Sequence, residues 1–235
     1  MKFEVWFHSK LKRPFIAISL SALASCCAQG LSAQDATPAV TPSATITQFN
    51  VPGAGTVNYQ GTTVSSINAS GTVAGTYIDS ANVNHGYTRT SSGTITKIDV
   101  TGAGSGNSQG TTLTGINKSG NVTGTYIDSK GEYHCFYRTA AGKVRTFDVQ
   151  GAADQGTGCE GINDSNEIVG YYSDANAIYH GFVRKVSGTI TTFDAPCTGT
   201  ASGDGTVATA INNSGAVVGY CISSISDAFY RSSSG

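Results

Sequence analysis

One sequence pattern occurs four times in the chain, and this repeat limits the possible folds more than any other feature. An Ile-Asn dipeptide recurs at spacings of 49, 46 and 49 residues, with a glycine six residues before each Ile and another eight residues after it. The four dipeptides are Ile67-Asn68, Ile116-Asn117, Ile162-Asn163 and Ile211-Asn212. A fixed period of about 40–50 residues predicts an array of similar supersecondary units, each packed against its neighbours.

Each unit divides into four short β-prone runs, A to D, separated by turn residues. In the second unit these runs are 111–117, 121–128, 134–139 and 143–149. Runs A and B are joined by Asn-x-Ser-Gly in three units, and Asn166 replaces the glycine in the third, since both residues tolerate positive φ. With 30 Gly and only 12% charged residues in 235, the composition fits a turn-rich all-β protein better than a helical one.

Four-stranded units at this period are typical of β-propeller blades. The segment 45–51 is similar to run D of the later units, and the sequence ends at Gly235, where the fourth unit would begin its own run D. We therefore predict a small β-propeller of four blades, each with four antiparallel strands, in which the N-terminal strand 45–51 pairs in the last blade and closes the ring. A β-solenoid, an eight-bladed ring made of two chains and a truncated larger propeller are the alternatives.

The first 34 residues have the composition of an export signal. Four basic residues precede an apolar run over 15–23, which small residues follow. The basic residues are Lys2, Lys10, Lys12 and Arg13. An apolar run of about nine residues is much shorter than the roughly 20 that span a bilayer, so we predict an exported protein without a membrane span.

Two routes of processing are open for this signal. Cleavage after Ala33 would release a soluble protein, whereas Leu23-Ala24-Ser25-Cys26 resembles the bacterial lipobox, which makes Cys26 a candidate lipid anchor. In either case we predict a disordered tether over 35–44, followed by a single domain over 45–235. The expected location is secreted, or attached to the cell surface or outer membrane.

The repeated residues resemble the bacterial HAF-type extracellular repeats, which are named for a His-Ala-Phe signature. The shared core reads Gly-Ile-Asn-x-Ser-Gly-x-Val-x-Gly-x-Tyr-x-Asp, and the resemblance covers 45–235. The signature occurs here as His85-Gly86-Tyr87, His134-Cys135-Phe136, His180-Gly181-Phe182 and Asp227-Ala228-Phe229, so the fourth unit has no His. The resemblance implies an exported repeat protein and supplies no catalytic residues.

A recurrent Asp and His flank the B–C loop, six residues apart, in the first three units. These pairs are Asp79 with His85, Asp128 with His134, and Asp174 with His180. One interpretation is a structural hydrogen bond that pins the hairpin once per blade. The other is a binding face, because B–C and D–A loops emerge on the same face of a propeller and the six side chains could surround one surface. We predict no metal and no cofactor.

No catalytic motif stands out in the sequence. Glu160 and Asp204 break the symmetry of the repeat near the D–A loops, and a solvated loop charge is the favoured interpretation of both. No nucleophile elbow, phosphate-binding loop or zinc-protease motif is present. We therefore predict that the protein is not an enzyme, and an extracellular hydrolase or lyase acting on a polymer is the alternative.

Cysteine usage is consistent with export, because four cysteines follow the signal and an even number permits pairing in an oxidising compartment. Three connectivities are possible. Cys159 and Cys197 both fall near the D–A side of the third unit and are the expected disulfide. Cys135 and Cys221 occupy strand positions, where we expect buried free thiols.

The charge of the chain argues against a nucleic-acid partner, since the net charge is −1 and the basic residues of the repeats are scattered singly. We predict a non-enzymatic module for binding or scaffolding at the cell surface, whose partner is a glycan or a protein. A purely structural repeat is a further possibility. The sequence leaves open whether the protein is a monomer or a dimer.

Overall fold

The computed structural model describes residues 46–153 and 156–234, and within them Gln48 begins one compact unit of structure. The described residues are all-β. Among them, no helix is long and apolar enough to cross a membrane. The predicted export signal over 1–34, the tether over 35–44 and the candidate lipid anchor Cys26 lie outside the described residues.

The described strands fall into the four predicted repeat units. Unit 1 contains Gly61–Ile67 (β1), Val73–Ile78 (β2), Asn84–Arg89 (β3) and Ile95–Ile98 (β4); unit 2 contains Gly110–Ile116 (β5), Val122–Ile127 (β6), Tyr133–Arg138 (β7) and Val144–Phe147 (β8); unit 3 contains Thr157–Ile162 (β9), Ile168–Ser173 (β10), Tyr179–Arg184 (β11) and Ile190–Phe193 (β12); unit 4 contains Gly205–Ile211 (β13), Val217–Ile222 (β14) and Ser226–Arg231 (β15). The four runs predicted for unit 2 match β5 to β8 closely.

Strands within a unit pair in chain order and are all antiparallel. Single parallel bridges then join units 1 and 2 into an eight-stranded sheet and units 3 and 4 into a seven-stranded sheet. One bridge links Asn84 to Gly110, and the other links Tyr179 to Gly205. Gly110 has a φ of 108°, and a Cβ at this position would collide with the backbone oxygen of Asn84. The bridge between units 1 and 2 therefore requires glycine.

Every strand A carries one β-bulge at the same place. The register against strand B shifts by one residue, so that a single residue of strand A has no partner in the ladder. The four bulged residues are Ser65, Thr114, Glu160 and Thr209. A bulge bends its strand and turns a side chain away from the regular alternation, so these four positions are oriented by the backbone itself.

Most of the hydrophobic core lies at the boundaries between consecutive units. Ala74 and Ile98 of unit 1 pack with Leu113 and Phe136 of unit 2. A second cluster joins units 2 and 3, and a third joins units 3 and 4. Because three clusters join neighbouring units, and the fourth packs the segment before β1 on unit 1, the units depend on one another for stability, as expected for repeat proteins.

The predicted closing strand is absent from the structure. Residues 46–51 form no strand, and β15 pairs with β14 alone in the part of the chain that is described. Phe49 and Val51 pack instead on unit 1, where they contact Tyr87 and neighbouring side chains. These two residues pack against unit 1 without any backbone pairing to β15. The described strands consequently form no closed ring.

A ladder of asparagine side chains connects the A–B turns of all four units. Asn68 Nδ2 donates to the Asn117 carbonyl, Asn117 Nδ2 donates to the Asn163 carbonyl, and Asn163 Nδ2 donates to the Asn212 carbonyl, each at 3.1 Å. The Oδ1 atom of each Asn accepts backbone N–H groups within its own turn. The recurrent Asn therefore shapes one turn and fixes its distance to the next.

Two disulfides are present, and they differ from the expected one. Cys135 is bonded to Cys159, and Cys197 is bonded to Cys221, with Cα–Cα distances of 5.4 and 5.9 Å. The prediction of Cys159 with Cys197 was wrong because Cys159 lies inside β9, beside strand β7 of the preceding unit. The first disulfide links β7 of unit 2 to β9 of unit 3, and the second links the D–A loop before unit 4 to β14. Such bonds form in oxidising compartments.

Candidate functional site at the loop end of the units

The B–C and D–A loops lie at one end of the units, as predicted. We call this end the loop face, and it consists of the D–A loops over 52–60, 99–109, 148–153 and 194–204 and the B–C loops over 79–83, 128–132, 174–178 and 223–225. Backbone hydrogen bonds tie loops of neighbouring units together. Asn84 N donates to the Gln109 carbonyl at 2.8 Å, and Ser108 N donates to the Asn82 carbonyl at 2.8 Å. Units 3 and 4 repeat this pattern through Tyr179 and Gly203.

Each of the first three units places a His between two carboxylates on the loop face. His85 Nδ1 lies 2.9 Å from Asp99 Oδ1, and its Nε2 lies 3.4 Å from Asp79 Oδ2. In unit 2 the corresponding distances from His134 are 3.0 Å to Asp148 and 3.8 Å to Asp128. In unit 3 the distances from His180 are 2.8 Å to Asp194 and 3.6 Å to Asp174. The structure therefore brings the predicted Asp and His together and adds a second Asp.

An aromatic ring supports every one of these histidines. The imidazole rings of His85, His134 and His180 stack on Tyr77, Tyr126 and Tyr172 with centroid distances of 4.7, 4.8 and 5.0 Å. The stacked Tyr lies directly opposite the His in the antiparallel pairing of strands B and C. The imidazole is thus held by a ring on one face and by carboxylates at its two nitrogens.

The first Asp of each group, which is Asp79, Asp128 or Asp174, also shapes the B–C turn. Asp128 Oδ1 accepts hydrogen bonds from the backbone N–H groups of Lys130 and Glu132 at 2.8 and 3.0 Å, and Asp79 and Asp174 do the same in their own loops. These bonds, led by the N–H of Glu132 in unit 2, lower the pKa of the Asp128 carboxyl below its usual value. The first Asp therefore caps the B–C turn in its ionised form.

Three potential metal ligands come together in unit 2. Carboxylate oxygens of Asp128 and Glu132 and a ring nitrogen of His134 lie within 4.8 Å of one another. Two carboxylates and an imidazole can bind a divalent metal ion. Units 1 and 3 have Val83 and Ile178 in place of Glu132, however, so the part of the arrangement that recurs is the turn cap and its histidine.

Unit 4 lacks the group altogether. Ser223 stands where the other units have the turn-capping Asp, and Asp227 stands where they have His. Ser223 Oγ donates to the Ile225 carbonyl at 2.8 Å, which closes a shorter loop. A function that uses this group therefore belongs to the first three units.

A second candidate site lies where the four A strands meet. They line a cavity of about 220 Å³ whose walls include Ser66, Gly115, Glu160 and Thr209. The A–B turns of all four units line an adjoining cavity of about 350 Å³. A channel lined by the innermost strands of every unit is the arrangement that propeller blades have around their axis.

Glu160 is the one acidic bulge residue among the four A strands. It was expected near a D–A loop as a solvated charge, and the structure places it instead within β9, partly buried at the wall of the cavity. Burial raises the pKa of the Glu160 carboxyl to about 7. Burial also raises the pKa of nearby Tyr171, and the charge of Glu160 raises it further. At the bulges of units 2 and 4, the hydroxyl groups of Thr114 and Thr209 donate to strand B carbonyls.

Asp204, the other symmetry-breaking acid, has a local structural role. Its Oδ2 accepts a hydrogen bond from Ala201 N at 3.0 Å and closes the D–A loop of unit 4. Gln109 occupies the equivalent position in unit 2, and its Oε1 accepts from Gly106 N at 2.8 Å. For Asp204 the prediction of a loop position is confirmed.

Sequence reasoning missed the second carboxylate of the His groups. Asp99, Asp148 and Asp194 directly follow strand D and recur at spacings of 49 and 46 residues, the spacings of the histidines. This periodicity was visible in the sequence, but pairing strands C and D was needed to bring the Asp beside the His. The stacked tyrosines follow from the pairing of strands B and C in the same way.

No protein-family model matches the sequence, and no curated protein matches it.

Proposed function

We propose that the protein is an exported, non-enzymatic repeat module whose units are propeller blades and whose loop face binds a polymer at the cell surface. The observation that carries this proposal is the repetition of one group, a His between two carboxylates and stacked on a Tyr, in three consecutive units. Identical groups at regular intervals suit a ligand that is itself a repeat. A glycan chain is such a ligand.

The chemistry of the group supports a glycan as the ligand. Asp99, Asp148 and Asp194 are about half exposed, with side-chain exposures of 54%, 49% and 52%, so that part of each carboxylate faces solvent. Ionised carboxylates accept strong hydrogen bonds from hydroxyl groups. Each carboxylate is also fixed in direction by its histidine, which lowers the entropy lost on binding.

The loops between these groups provide the remaining contacts. Their backbones are held by hydrogen bonds between units, which gives the loop face a defined shape before a ligand arrives. Tyr59 projects from the first D–A loop almost fully exposed. Exposed aromatic rings are common in binding surfaces.

A glycan array with the purified chain tests this proposal. We expect saturable binding to at least one repeating glycan, and a weakening of about tenfold per lost contact when Asp99, Asp148 and Asp194 are replaced by Asn. The matched control is Asp164→Asn, which removes a carboxylate from an A–B turn at the opposite end of the units. Equal binding by the triple variant and the wild type would contradict a role for the loop face.

Two other outcomes would assign a different function. Binding to a protein rather than to any glycan would keep the module but change its partner class. Turnover of a polymer that is abolished by Glu160→Gln would favour the extracellular hydrolase or lyase instead, because it would make the buried carboxyl a reacting group.

A further inference from the structure

We propose that unit 4 presents a docking surface for unit 1 of a second copy of this chain, so that chains associate head to tail. Each of the three boundaries inside the chain joins a trailing face, on strands B to D of one unit, to a leading face, on strands A to C of the next. The trailing face of unit 4 and the leading face of unit 1 are left without such a neighbour among the described residues. This inference does not depend on the proposed function.

The exposure of equivalent residues identifies the trailing face of unit 4. Val218 on β14 is 44% exposed, whereas Val169, at the same position of unit 3, is 0% exposed because it packs with Ala208 of unit 4. Tyr230 on β15 is 70% exposed, and its equivalent Val183 is 4% exposed. The apolar surface on strands B and C is therefore covered by unit 4 in the case of unit 3, and it is exposed to solvent in unit 4 itself.

The leading face of unit 1 shows the complementary difference. Val64 on β1 is 52% exposed, whereas its equivalent Leu113 is fully buried against unit 1. Ile67, at the end of the same strand, is also exposed, and its equivalent Ile116 is buried. The two open faces therefore have the same chemistry as the two sides of each internal boundary.

The segment before β1 already makes the contacts that a strand D makes with the following unit. Phe49 packs edge-on against Tyr87, as Phe147 does against Phe182 and Phe193 does against Phe229. An Arg lies over the ring each time, at 4.6 Å for Arg89 over Phe49, and Arg184 and Arg231 repeat it in units 3 and 4. Val51 N donates to Thr62 Oγ1 at 3.0 Å, as Val100 N does to Thr111 Oγ1.

In units 1 to 3, strand D also pairs with strand C. Among the described residues, the corresponding pairing is missing both at β15 and at residues 46–51. The outer edge of β15 has no strand partner in the described chain, and residues 46–51 are not paired either. In unit 3, Phe182 pairs with Thr192. Phe229 is equivalent to Phe182 and Gln48 to Thr192, so the same register would pair Phe229 with Gln48 of the second copy. Strand addition of this kind provides backbone hydrogen bonds as well as apolar contact.

A groove beside β15 marks the place where the added strand would lie. It has a volume of about 460 Å³ and is lined by Phe193, Pro196, Phe229 and Tyr230. The asparagine ladder stops at the same boundary, since Asn212 Nδ2 donates to no residue of the described chain. The Asn68 carbonyl of a second copy would continue the ladder with its established geometry.

A second copy is the occupant that these observations favour, because complementary faces at opposite ends of one chain make a head-to-tail contact. We expect the purified chain to form dimers or longer assemblies in sedimentation velocity experiments. Val218→Asp and Val64→Asp should each raise the dissociation constant at least about 100-fold, since each would bury an unpaired carboxylate. Val186→Asp, at a valine that is also exposed but lies on a C–D turn, is the control.

Mixing the two face variants tests the head-to-tail arrangement directly. Val64→Asp keeps an intact unit 4 and Val218→Asp keeps an intact unit 1, so an equimolar mixture should form heterodimers although each variant alone is monomeric. A second measurement avoids any effect on folding: Gln48→Cys and Phe229→Cys chains, mixed and oxidised, should form a disulfide-linked heterodimer. A wild-type chain that stays monomeric, or a Gln48→Cys/Phe229→Cys double variant that crosslinks only within one chain, would overturn the proposal.

Discussion

Replacing Glu160 by Gln should change how the stability of the protein depends on pH. The folded chain raises the pKa of Glu160 from 4.5 to about 7 by burial, so the folded state holds a proton that the unfolded state releases between these values. Because the folded state binds more protons in this window, the free energy of unfolding falls as pH rises through it. A difference of about 2.5 pKa units corresponds to about 3 kcal/mol.

The measurement is urea unfolding of the wild type and the variant at pH 4 and pH 8. Between these two pH values the wild type should lose about 3 kcal/mol more than Glu160→Gln, because Gln has no proton to release. Subtracting the two proteins removes the contribution of the other carboxyl groups, which both contain. Asp227→Asn, which removes an exposed carboxyl from β15, should behave as the wild type does.

A second substitution at position 160 tests whether the loss of the carboxyl group, rather than the shape of Gln, removes the pH dependence. Glu160→Thr gives unit 3 the bulge residue of units 2 and 4, where Thr114 and Thr209 donate to strand B carbonyls. It should abolish the pH dependence as Gln does. Equal pH dependence in the wild type and both variants would refute a buried Glu160 with a raised pKa.

Two further substitutions test the packing of the units. Gly124→Ala should lower the free energy of unfolding by about 1–3 kcal/mol, since its Cβ would collide with the Thr112 carbonyl oxygen, whereas Gly106→Ala meets only the movable Gln109 side chain and should have a smaller effect. Replacing Cys135 by Ala should cost about 3 kcal/mol through loss of a 24-residue crosslink, and peptide mapping that found Cys159 bonded to any other cysteine would contradict the pairing.

The strands of each unit could be predicted from the sequence because local turn chemistry fixes them. Asn166 illustrates this, since it replaces a glycine in the A–B turn and has a φ of 61°, as the tolerance of Asn for this region predicted. Periodic glycines and asparagines marked the same turns in every unit. The order and direction of the strands followed from short connections.

The arrangement between units could not be predicted in the same way. Cys135 and Cys159 lie in different units and meet because β7 and β9 are neighbours, a relation that no spacing within one repeat describes. The closing strand was predicted from similarity of residues 45–51 to strand D. Such similarity identifies the contacts that a segment can make, and residues 49–51 make those with the following unit without pairing with β15.

Residues at equivalent positions of the four units differ in whether they serve the fold or are available to a ligand. The turn-capping Asp makes the same backbone contacts in three units, so these contacts belong to the fold, and only the exposed carboxylates beyond the histidines are free to contact a ligand. The carboxyl group of Glu160, in contrast, is not required by the fold, since the other three units have a hydroxyl residue at the bulge. A buried acid that the architecture does not require lowers stability at neutral pH, and its position in the channel makes it the residue whose replacement is most informative.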